Sequence, residues 1–257
     1  MCWRFSLEGL AWLVTKNYYG VVVVVAGLNG TGKDEAVVGL EEEGWLVLSI
    51  FDDAILPEYV GWHNRLKSEG DTRFEGHPYL KYRGSCEPGT SIEQLEVYKN
   101  YPFKSQIRPL TEAYVAEQRA RRGDDCFIRK LLHFVPFHAK VVITGGRVEE
   151  EFEAVFGAAA PEIMQRRIAL FVEITADREV RADRVPYFNE DILGTVCHQL
   201  HRCLEVRGYR VKLEESGHYR AIQNHGSKDE LHAAMRELLS GFFADFEARE
   251  RMLAGLG

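Results

Sequence analysis

The apolar residues of the chain predict a buried parallel sheet whose strands alternate with helices. Residues 21–25 are five consecutive valines with no polar position between them, which is typical of a strand covered on both faces. Apolar runs at 45–51, 141–144, 168–175 and 219–223 predict further strands. Because helical patterns separate these runs, we predict a single α/β domain with three layers (α/β/α), in which helices cover a parallel sheet.

Helical patterns occupy 33–43, 109–134, 149–156, 193–206 and 227–248, and another helix is predicted to begin near Asp177. Ser227 and Glu230 have the spacing of a capping box at the start of the last helix. Glycines, prolines and charges interrupt the apolar pattern from about 57 to 109, which we interpret as an insertion with short helices. Residues 1–20 form a predicted N-terminal extension.

Composition and charge exclude several classes of protein. Of the 257 residues, 46% are hydrophobic and 28% are charged, which excludes a wholly disordered chain. The net charge of −7 is opposite in sign to that of a strongly basic nucleic-acid binder. The longest apolar stretch, 21–26, is too short for a membrane span, no cleavable signal pattern is visible, and five scattered cysteines indicate reduced thiols. We therefore expect a cytoplasmic protein without a nucleic-acid or membrane partner; the oligomeric state stays open.

The strongest chemical signal is the glycine loop, residues 27–34, which follows the valine strand and precedes a predicted helix. Its sequence fits GxxxxGK, with an aspartate where a serine or threonine usually follows the lysine. Glycines let successive amide groups turn towards an anion, a helix N-terminus adds partial positive charge, and a lysine reaches the outer phosphates. The alternative is a glycine-rich turn with a surface lysine. The candidate nucleotide-binding residues are Gly27, Asn29, Gly30, Thr31, Gly32, Lys33, Asp34 and, after the last predicted strand, Asn224.

Asp34 is the informative departure from the usual pattern. A hydroxyl at this position normally ligates Mg²⁺, and a carboxylate is an equally hard oxygen ligand. We therefore predict Asp34 to be a metal ligand. A loop that binds no metal is the alternative.

The glycine loop resembles the GKD loops of animal phosphomevalonate kinase and phage deoxynucleoside monophosphate kinase. The chain as a whole resembles the P-loop kinase group that contains dephospho-CoA kinase and the archaeal adenylate-kinase-like proteins, and it is similar to the P-loop segment of fungal deoxycytidylate deaminases. The matching stretches are 22–53, 108–125, 141–155, 171–184 and 219–231, a little over half of the chain. The resemblance implies a P-loop NTPase fold, ATP and Mg²⁺ as cofactors, and phosphoryl transfer to a nucleoside or deoxynucleoside monophosphate.

The resemblance also implies roles for two acids and two arginines. Asp52 would hold Mg²⁺ or the acceptor at the end of the second strand, with Asp53 as its competitor on the opposite strand face and a plain turn as the alternative. Arg108 and Arg119, near the two ends of a helix, would bind the substrate phosphate. A solvated helix face explains this arginine pair equally well.

Two further segments complete the implied site. Arg147 follows the third strand in a turn similar to a family turn, but Thr144, Gly145 and Gly146 stand where the family carries an acid. Arg181 and Arg184 resemble arginines of a lid, here about 181–215, that closes over ATP. The catalytic candidates are Lys33, Asp52, Arg147, Arg181 and Arg184. Two other functions stay open: a dephospho-CoA kinase-like enzyme, and a catalytically inactive nucleotide-binding regulator.

Overall fold

The structure of the protein is a computed structural model. It describes residues 20–28, 30–59, 61–62, 103–136, 139–146, 149–157, 167–184 and 204–255, without the side chains of 103–110 and 245–255. The chain divides into two compact units: a sheet unit, Met1–Val47 with Val135–Gly257, and a helical unit, Leu48–Phe134. The single-domain organisation expected from the sequence stays a prediction.

The described strands and helices follow the alternation expected of an α/β protein. The strands are β1 (Val21–Ala26), β2 (Leu46–Ser49), β3 (Lys140–Thr144), β4 (Ile168–Thr175) and β5 (Tyr219–Gln223). The α-helices are α1 (Phe103–Arg122), α2 (Cys126–Phe134), α3 (Glu149–Phe156), α4 (Arg178–Arg184), α5 (Tyr209–Ser216) and α6 (Lys228–Gly255). Two short 3-10 helices, Glu35–Val37 and Leu40–Glu43, follow β1, and a π-helix, Ile50–Ile55, follows β2.

The strands form one sheet in the order β2-β3-β1-β4-β5. β1 pairs in parallel with β3 and β4, and β4 pairs in parallel with β5. Val24 lies opposite Ile143 on one neighbour and Phe171 on the other. Every residue of β1 is buried, as expected for the central strand of a covered parallel sheet. The predicted parallel α/β sheet is therefore confirmed.

Apolar side chains cover both faces of this sheet. Val21, Val23 and Val25 belong to a core that includes Met235 and Leu239 of α6. On the opposite face, Phe171 meets Phe152 of α3 edge-on at 5.7 Å, and Phe152 lies 5.0 Å from Tyr209 of α5. Helices therefore lie on both sides of the strands, which confirms the predicted three layers.

One buried charge lies within the apolar strand β4. Glu173 is 3% exposed. Its carboxylate accepts a hydrogen bond from the Tyr219 hydroxyl at 2.5 Å and from the Arg210 guanidinium at 3.1 Å. These two donors come from β5 and α5, so the contacts fix the sheet edge to the helix beside it. Buried charges are compatible with a fold when they are paired in this way.

In the helical unit, aromatic side chains join α1 to the helical turn after the π-helix. Tyr114 of α1 packs 5.2 Å from Trp62 and 5.9 Å from Tyr59. The sequence predicts one long helix over 109–134, but the structure has two, because Gly123 adopts a left-handed φ of 96° that ends α1. α1 begins at Phe103, inside the predicted insertion. Tyr114, Ile128, Leu131 and Leu132 are buried.

Four other elements differ from the predictions. The predicted helix over 33–43 is two 3-10 turns, because Gly39 between them has a left-handed φ of 81° and interrupts the helical hydrogen bonds. The predicted strand 45–51 ends at Ser49, where the π-helix begins. Helix α5 was not predicted, and α6 extends to Gly255 rather than 248.

The predicted capping box at the start of α6 is confirmed. The Ser227 amide donates to Glu230 Oε2 at 2.7 Å, and the Glu230 amide donates to Ser227 Oγ at 3.3 Å. These bonds to Ser227 lower the pKa of Glu230. The predicted extension up to residue 19, most of the insertion, the helix at 193–206 except its last three residues, and most of the lid lie outside the described residues. Within the part of the chain that the structure describes, no helix is long and apolar enough to cross a membrane.

Candidate functional site

The glycine loop follows β1 at its carboxyl end, and its backbone requires glycine at three positions. Gly30 and Gly32 adopt left-handed φ values of 81° and 88°, which side chains disfavour. A Cβ on Gly27 would lie 2.4 Å from the Ile174 carbonyl oxygen, too close for any other residue. The glycines of the motif are thus explained by backbone geometry rather than by chance.

A buried asparagine anchors this loop to the end of β5. Asn224 is 5% exposed, and its side-chain amide donates to the Thr31 carbonyl at 2.7 Å. A Cβ on Gly32 would meet the same amide nitrogen at 2.6 Å. Thr31 is itself buried, and its hydroxyl donates to the Leu28 carbonyl at 2.8 Å. The structure therefore brings together the predicted residues Thr31, Gly32 and Asn224.

Arg184 of α4 extends this hydrogen-bond chain. Its guanidinium donates to Asn224 Oδ1 at 3.3 Å, to the Asn224 carbonyl at 3.4 Å and to the Gly226 carbonyl at 3.3 Å. Because the Asn224 side chain accepts from Arg184 and donates to Thr31, the helix, the β5 end and the loop are linked. Arg181, on the same helix, is 7% exposed.

Lys33 and Asp34 present opposite charges at the end of the loop. Lys33 Nζ lies 3.6 Å from Asp34 Oδ2, and the Asp34 side chain is 71% exposed whereas that of Lys33 is 17% exposed. Asp34 occupies the N-cap of the first 3-10 turn without a side-chain capping hydrogen bond. Its carboxylate is therefore accessible to a cation. A nucleotide-bound Mg²⁺ commonly uses one or two protein carboxylates together with phosphate oxygens and water, which Asp34 fits.

The described residues hold no group of three or more histidines, cysteines, aspartates and glutamates placed to bind a metal. A metal held by protein groups alone is therefore not supported in the described part of the chain. This observation is compatible with a metal that phosphate oxygens help to hold.

One expectation for the loop is wrong. The sequence predicts that the N-terminus of an α-helix adds positive charge at the bound phosphates, but the helical segment after the loop is the 3-10 turn Glu35–Val37. One α-type bond remains, from the Ala36 amide to the Gly32 carbonyl at 2.8 Å. Since the macrodipole sums over aligned peptide units, a three-residue turn contributes little. The loop amides and Lys33 are therefore the groups of this segment that stay available to an anion.

The turn is held to α6 by a contact that sequence reasoning missed. Glu35 accepts from Lys228 Nζ at 2.8 Å and lies 3.2 Å from His232 Nε2. The pair Glu35–Lys228 is separated by 193 positions, and each residue alone resembles an ordinary surface charge. No local signal could have identified it.

Asp52 and Asp53 lie in the helical unit, within the π-helix rather than at a strand end. The Ser49 hydroxyl accepts from the Asp52 amide at 3.1 Å, and Asp53 Oδ2 accepts from the Ser49 amide at 2.6 Å. The argument that adjacent strand residues face opposite sides is therefore wrong here. Asp53 acts as a capping side chain, which is a structural use of its carboxylate.

The remaining candidates are only partly described. Arg119 lies half-buried on α1, and Arg108 lies on the same helix with its side chain outside the described residues. Asn29 and Arg147 also lie outside them. The end of β3 is described, and it carries Thr144, which is buried, followed by Gly145 with a left-handed φ of 86°.

Comparisons with known proteins add a fold-level likeness. No family model and no curated protein matches the chain. Among solved structures, a gluconokinase from Sinorhizobium meliloti 1021 is 14% identical, with 89% of this chain and 98% of that chain covered and a TM-score of 0.44. A shikimate kinase from Acinetobacter baumannii, in complex with shikimate, is 15% identical over 90% of this chain and 97% of that chain, with a TM-score of 0.39. At these values the likeness carries no argument about activity.

Proposed function

We propose that this protein is a Mg²⁺- and ATP-dependent kinase that transfers the γ-phosphoryl group to a nucleoside or deoxynucleoside monophosphate. The observation that carries the proposal is the glycine loop at the carboxyl end of β1. Gly30 and Gly32 hold left-handed conformations, which let successive backbone amides turn towards an anion, and Gly27 lets the loop pack against the end of β4. Lys33 follows directly, as a phosphate-binding loop requires.

The chain's own groups would act mainly by holding and orienting charge. The loop amides and Lys33 bind the β- and γ-phosphates, and the Asn224–Thr31 hydrogen bond keeps the loop in its conformation. Asp34 offers a carboxylate to the metal that accompanies the nucleotide. Bound MgATP supplies the transferable phosphoryl group and neutralises part of its charge. Positioning and charge stabilisation account for most of the catalysis of such transfers.

The other predicted residues complete the proposal. Asp52 is assigned to the metal or the acceptor, and Asp53 to the acceptor as a lesser candidate because it already caps Ser49. Arg108 and Arg119 are assigned to the acceptor phosphate. Arg147, Arg181 and Arg184 are assigned to the transferring group, with Arg184 also positioning the loop through Asn224.

A second function, nucleotide binding without turnover, is favoured by two observations. The glycine loop leads into a 3-10 turn rather than an α-helix, and no acid stands at the end of β3 in the run Thr144, Gly145 and Gly146. A regulator that binds a nucleotide needs the loop but not the transfer machinery.

The test measures ATP binding by calorimetry and ATP consumption in parallel on the full chain. The acceptor series contains the ribonucleoside monophosphates, the deoxyribonucleoside monophosphates and dephospho-CoA. Consumption with a monophosphate supports the proposal. Binding without consumption supports the regulator, and consumption with dephospho-CoA alone replaces the acceptor class. If ATP does not bind, both functions are overturned.

A further inference from the structure

Three basic side chains of α6 form a stripe along one face of the helix. Lys228, His232 and Arg236 are spaced i, i+4 and i+8, so they share this face. Lys228 Nζ donates to Glu35 Oε2 at 2.8 Å, and His232 Nε2 lies 3.2 Å from Glu35 Oε1. Arg236 Nε donates to Glu43 Oε1 at 2.5 Å. The stripe therefore contacts both 3-10 turns that follow the glycine loop, and all of these residues belong to the sheet unit.

The first of these 3-10 turns has little backbone support of its own. It spans Glu35–Val37, and one α-type bond joins it to the loop, from the Ala36 amide to the Gly32 carbonyl at 2.8 Å. An α-helix would hold its first residues through a ladder of successive hydrogen bonds, which a three-residue turn lacks. Ala36 and Val37 are buried and fix the apolar side of the turn. Its polar side is held by the contacts of Glu35 with α6.

Lys33 of the glycine loop lies between two contacts with the segment 224–228. The Asn224 side chain donates to the carbonyl of Thr31, two residues before Lys33. Lys228 binds the side chain of Glu35, two residues after Lys33. The backbone position of Lys33 is thus fixed from both sides, and this position determines where its ammonium group can reach.

The charge of Glu35 is unfavourable for an anionic ligand of the loop. A carboxylate two residues from Lys33 repels a bound polyphosphate. The Glu35 side chain is 29% exposed and that of Lys228 is 75% exposed, and ion pairs of such exposure contribute little to stability. Glu35 therefore opposes the ligand through its charge and favours it only through its position.

We infer that Glu35 is a positioning residue of the glycine loop. Held by Lys228 and His232, it keeps Lys33 and the loop amides in the conformation that binds the triphosphate of ATP. This inference rests on the proposed function for the identity of the ligand. Removal of the Glu35 charge should consequently weaken ATP binding, whereas electrostatic repulsion alone predicts tighter binding. The two explanations differ in the sign of the change.

The pair of Glu43 and Arg236 provides a matched control. It joins the second 3-10 turn to the same helix, over the same separation of 193 positions as the pair of Glu35 and Lys228. Its side chains are 43% and 45% exposed. Because Glu43 lies further along the chain from Lys33, Glu43→Gln removes one negative charge and one contact with α6 without changing the residues next to Lys33.

Calorimetry measures the binding of MgATP to the full chain and to four variants: Glu35→Gln, Lys228→Gln, the double variant and Glu43→Gln. We expect each of the first two to weaken MgATP about three- to fivefold, the scale of one charged contact of this exposure. The double variant should bind no more weakly than the weaker single variant, because both substitutions remove the same contact. Glu43→Gln should bind as the unchanged protein does. Circular dichroism and urea denaturation check that each variant is folded.

Each outcome counts for or against the positioning role. Unchanged or tighter MgATP binding by either Glu35→Gln or Lys228→Gln overturns the inference, as does equal weakening by Glu43→Gln. Additive losses in the double variant would also overturn it, since Lys228 would then act on the nucleotide directly.

The same measurements separate this inference from the proposed function. The expected pattern of binding without any ATP consumption would keep the positioning role and remove the kinase. ATP consumption by variants that bind MgATP normally would keep the kinase and remove the positioning role. If MgATP does not bind to the unchanged protein, both are overturned.

Discussion

The glycine loop and the cavity of the helical unit are built in opposite ways. The loop consists of consecutive residues whose backbone conformation does most of the work, with one long-range anchor at Asn224. The cavity wall is assembled from side chains far apart in sequence, such as Glu58 and Arg122, which are separated by 64 positions. Backbone amides recognise any phosphate, whereas placed side chains distinguish one ligand from another. The loop is therefore built mainly from local backbone geometry, whereas the cavity, whose described lining includes Glu58, Trp62, Tyr114 and Arg122, is built from long-range side-chain contacts.

The two sites also differ in how they are held. The loop depends on glycine conformations and on neutral hydrogen bonds, which contribute about 0.5–1.5 kcal/mol each. The cavity depends on the Glu58 carboxylate, which accepts three hydrogen bonds, two of them from charged groups. Substitutions in the loop should thus affect activity more than stability, and substitution of Glu58 should do the reverse.

The largest effect is expected for Lys33→Ala. Removing the ammonium group that neutralises the outer phosphates should lower kcat/KM for ATP by at least about a hundredfold, which corresponds to roughly 2.7 kcal/mol of transition-state stabilisation. The melting temperature should hardly change, because the one ion pair of Lys33 with the described residues is the 3.6 Å contact with the exposed Asp34. Lys212→Ala, at an exposed lysine of α5, is the control. Full turnover by the Lys33 variant would remove the loop from the reaction.

A smaller effect, now on stability, is expected for Glu58→Gln. Loss of the charged acceptor should cost about 1–3 kcal/mol of unfolding free energy at pH 7, measured by urea denaturation. The folded pKa of Glu58 lies below the ordinary 4.5, so its contribution is complete above that value and disappears as the pH falls through the folded pKa. The difference in unfolding free energy between the unchanged protein and the Glu58→Gln variant should therefore shrink below pH 4.5.

Glu117→Gln is the control for this pH dependence. Glu117 is 38% exposed and, within the described part of the chain, pairs with Arg121 at 3.4 Å, so its replacement should leave the denaturation midpoint nearly unchanged. A Glu58→Gln difference that is the same at pH 3.5 and pH 7 would contradict an ionised, three-donor carboxylate.

Replacement of Asn224 tests the anchor of the loop. We expect Asn224→Ala to lower the free energy of unfolding by about 1 kcal/mol and to raise the KM for ATP. Asn224→Asp keeps an acceptor for Arg184 but cannot donate to the Thr31 carbonyl. If the loop needs this donor, the aspartate variant should raise the ATP KM at least as much as the alanine variant. A normal KM for Asn224→Asp would show that the Arg184 contact alone matters.

These contrasts explain which parts of the molecule could be predicted. The valine strand, the capping box at Ser227 and the glycine loop depend on neighbouring residues, so local patterns suffice. The split of the helix over 109–134 at Gly123 and the interruption at Gly39 also have local causes, but a lone glycine has several possible roles. The left-handed conformations of Gly39 and Gly123 are known only from the structure.

Long-range contacts account for what sequence reasoning missed. The cavity is lined by Arg121 and Arg122, to which the sequence analysis assigned no role, whereas the phosphate-binding role of Arg119 stays a prediction. The difference depends on how α1 is rotated against Glu58 and Trp62, and this rotation follows from the packing of Tyr114 with Tyr59 and Trp62. No spacing within α1 contains that information.

The smallest effect is expected for substitution of Asp34. This substitution tests whether a side chain of the loop contributes to metal binding in addition to the backbone amides. The Asp34 side chain makes no capping hydrogen bond, so a helix-capping role does not compete with a metal role. Asp34→Asn should therefore leave stability unchanged and raise the Mg²⁺ concentration for half-maximal turnover by about three- to tenfold, since a neutral amide is a weaker ligand for a hard cation. Asp34→Ser, which restores the usual hydroxyl, should keep measurable activity.

The control for Asp34 is Glu42→Gln, which removes one negative charge from the next 3-10 turn, where the side chain is exposed. A general loss of negative potential would shift the Mg²⁺ titrations of both variants equally, whereas a ligand role shifts that of the Asp34 variant alone. Superimposable Mg²⁺ titrations for Asp34→Asn and the unchanged protein would remove Asp34 from the metal. The loop would then act through its amides and Lys33 only, and the contrast with the side-chain-built cavity would be complete.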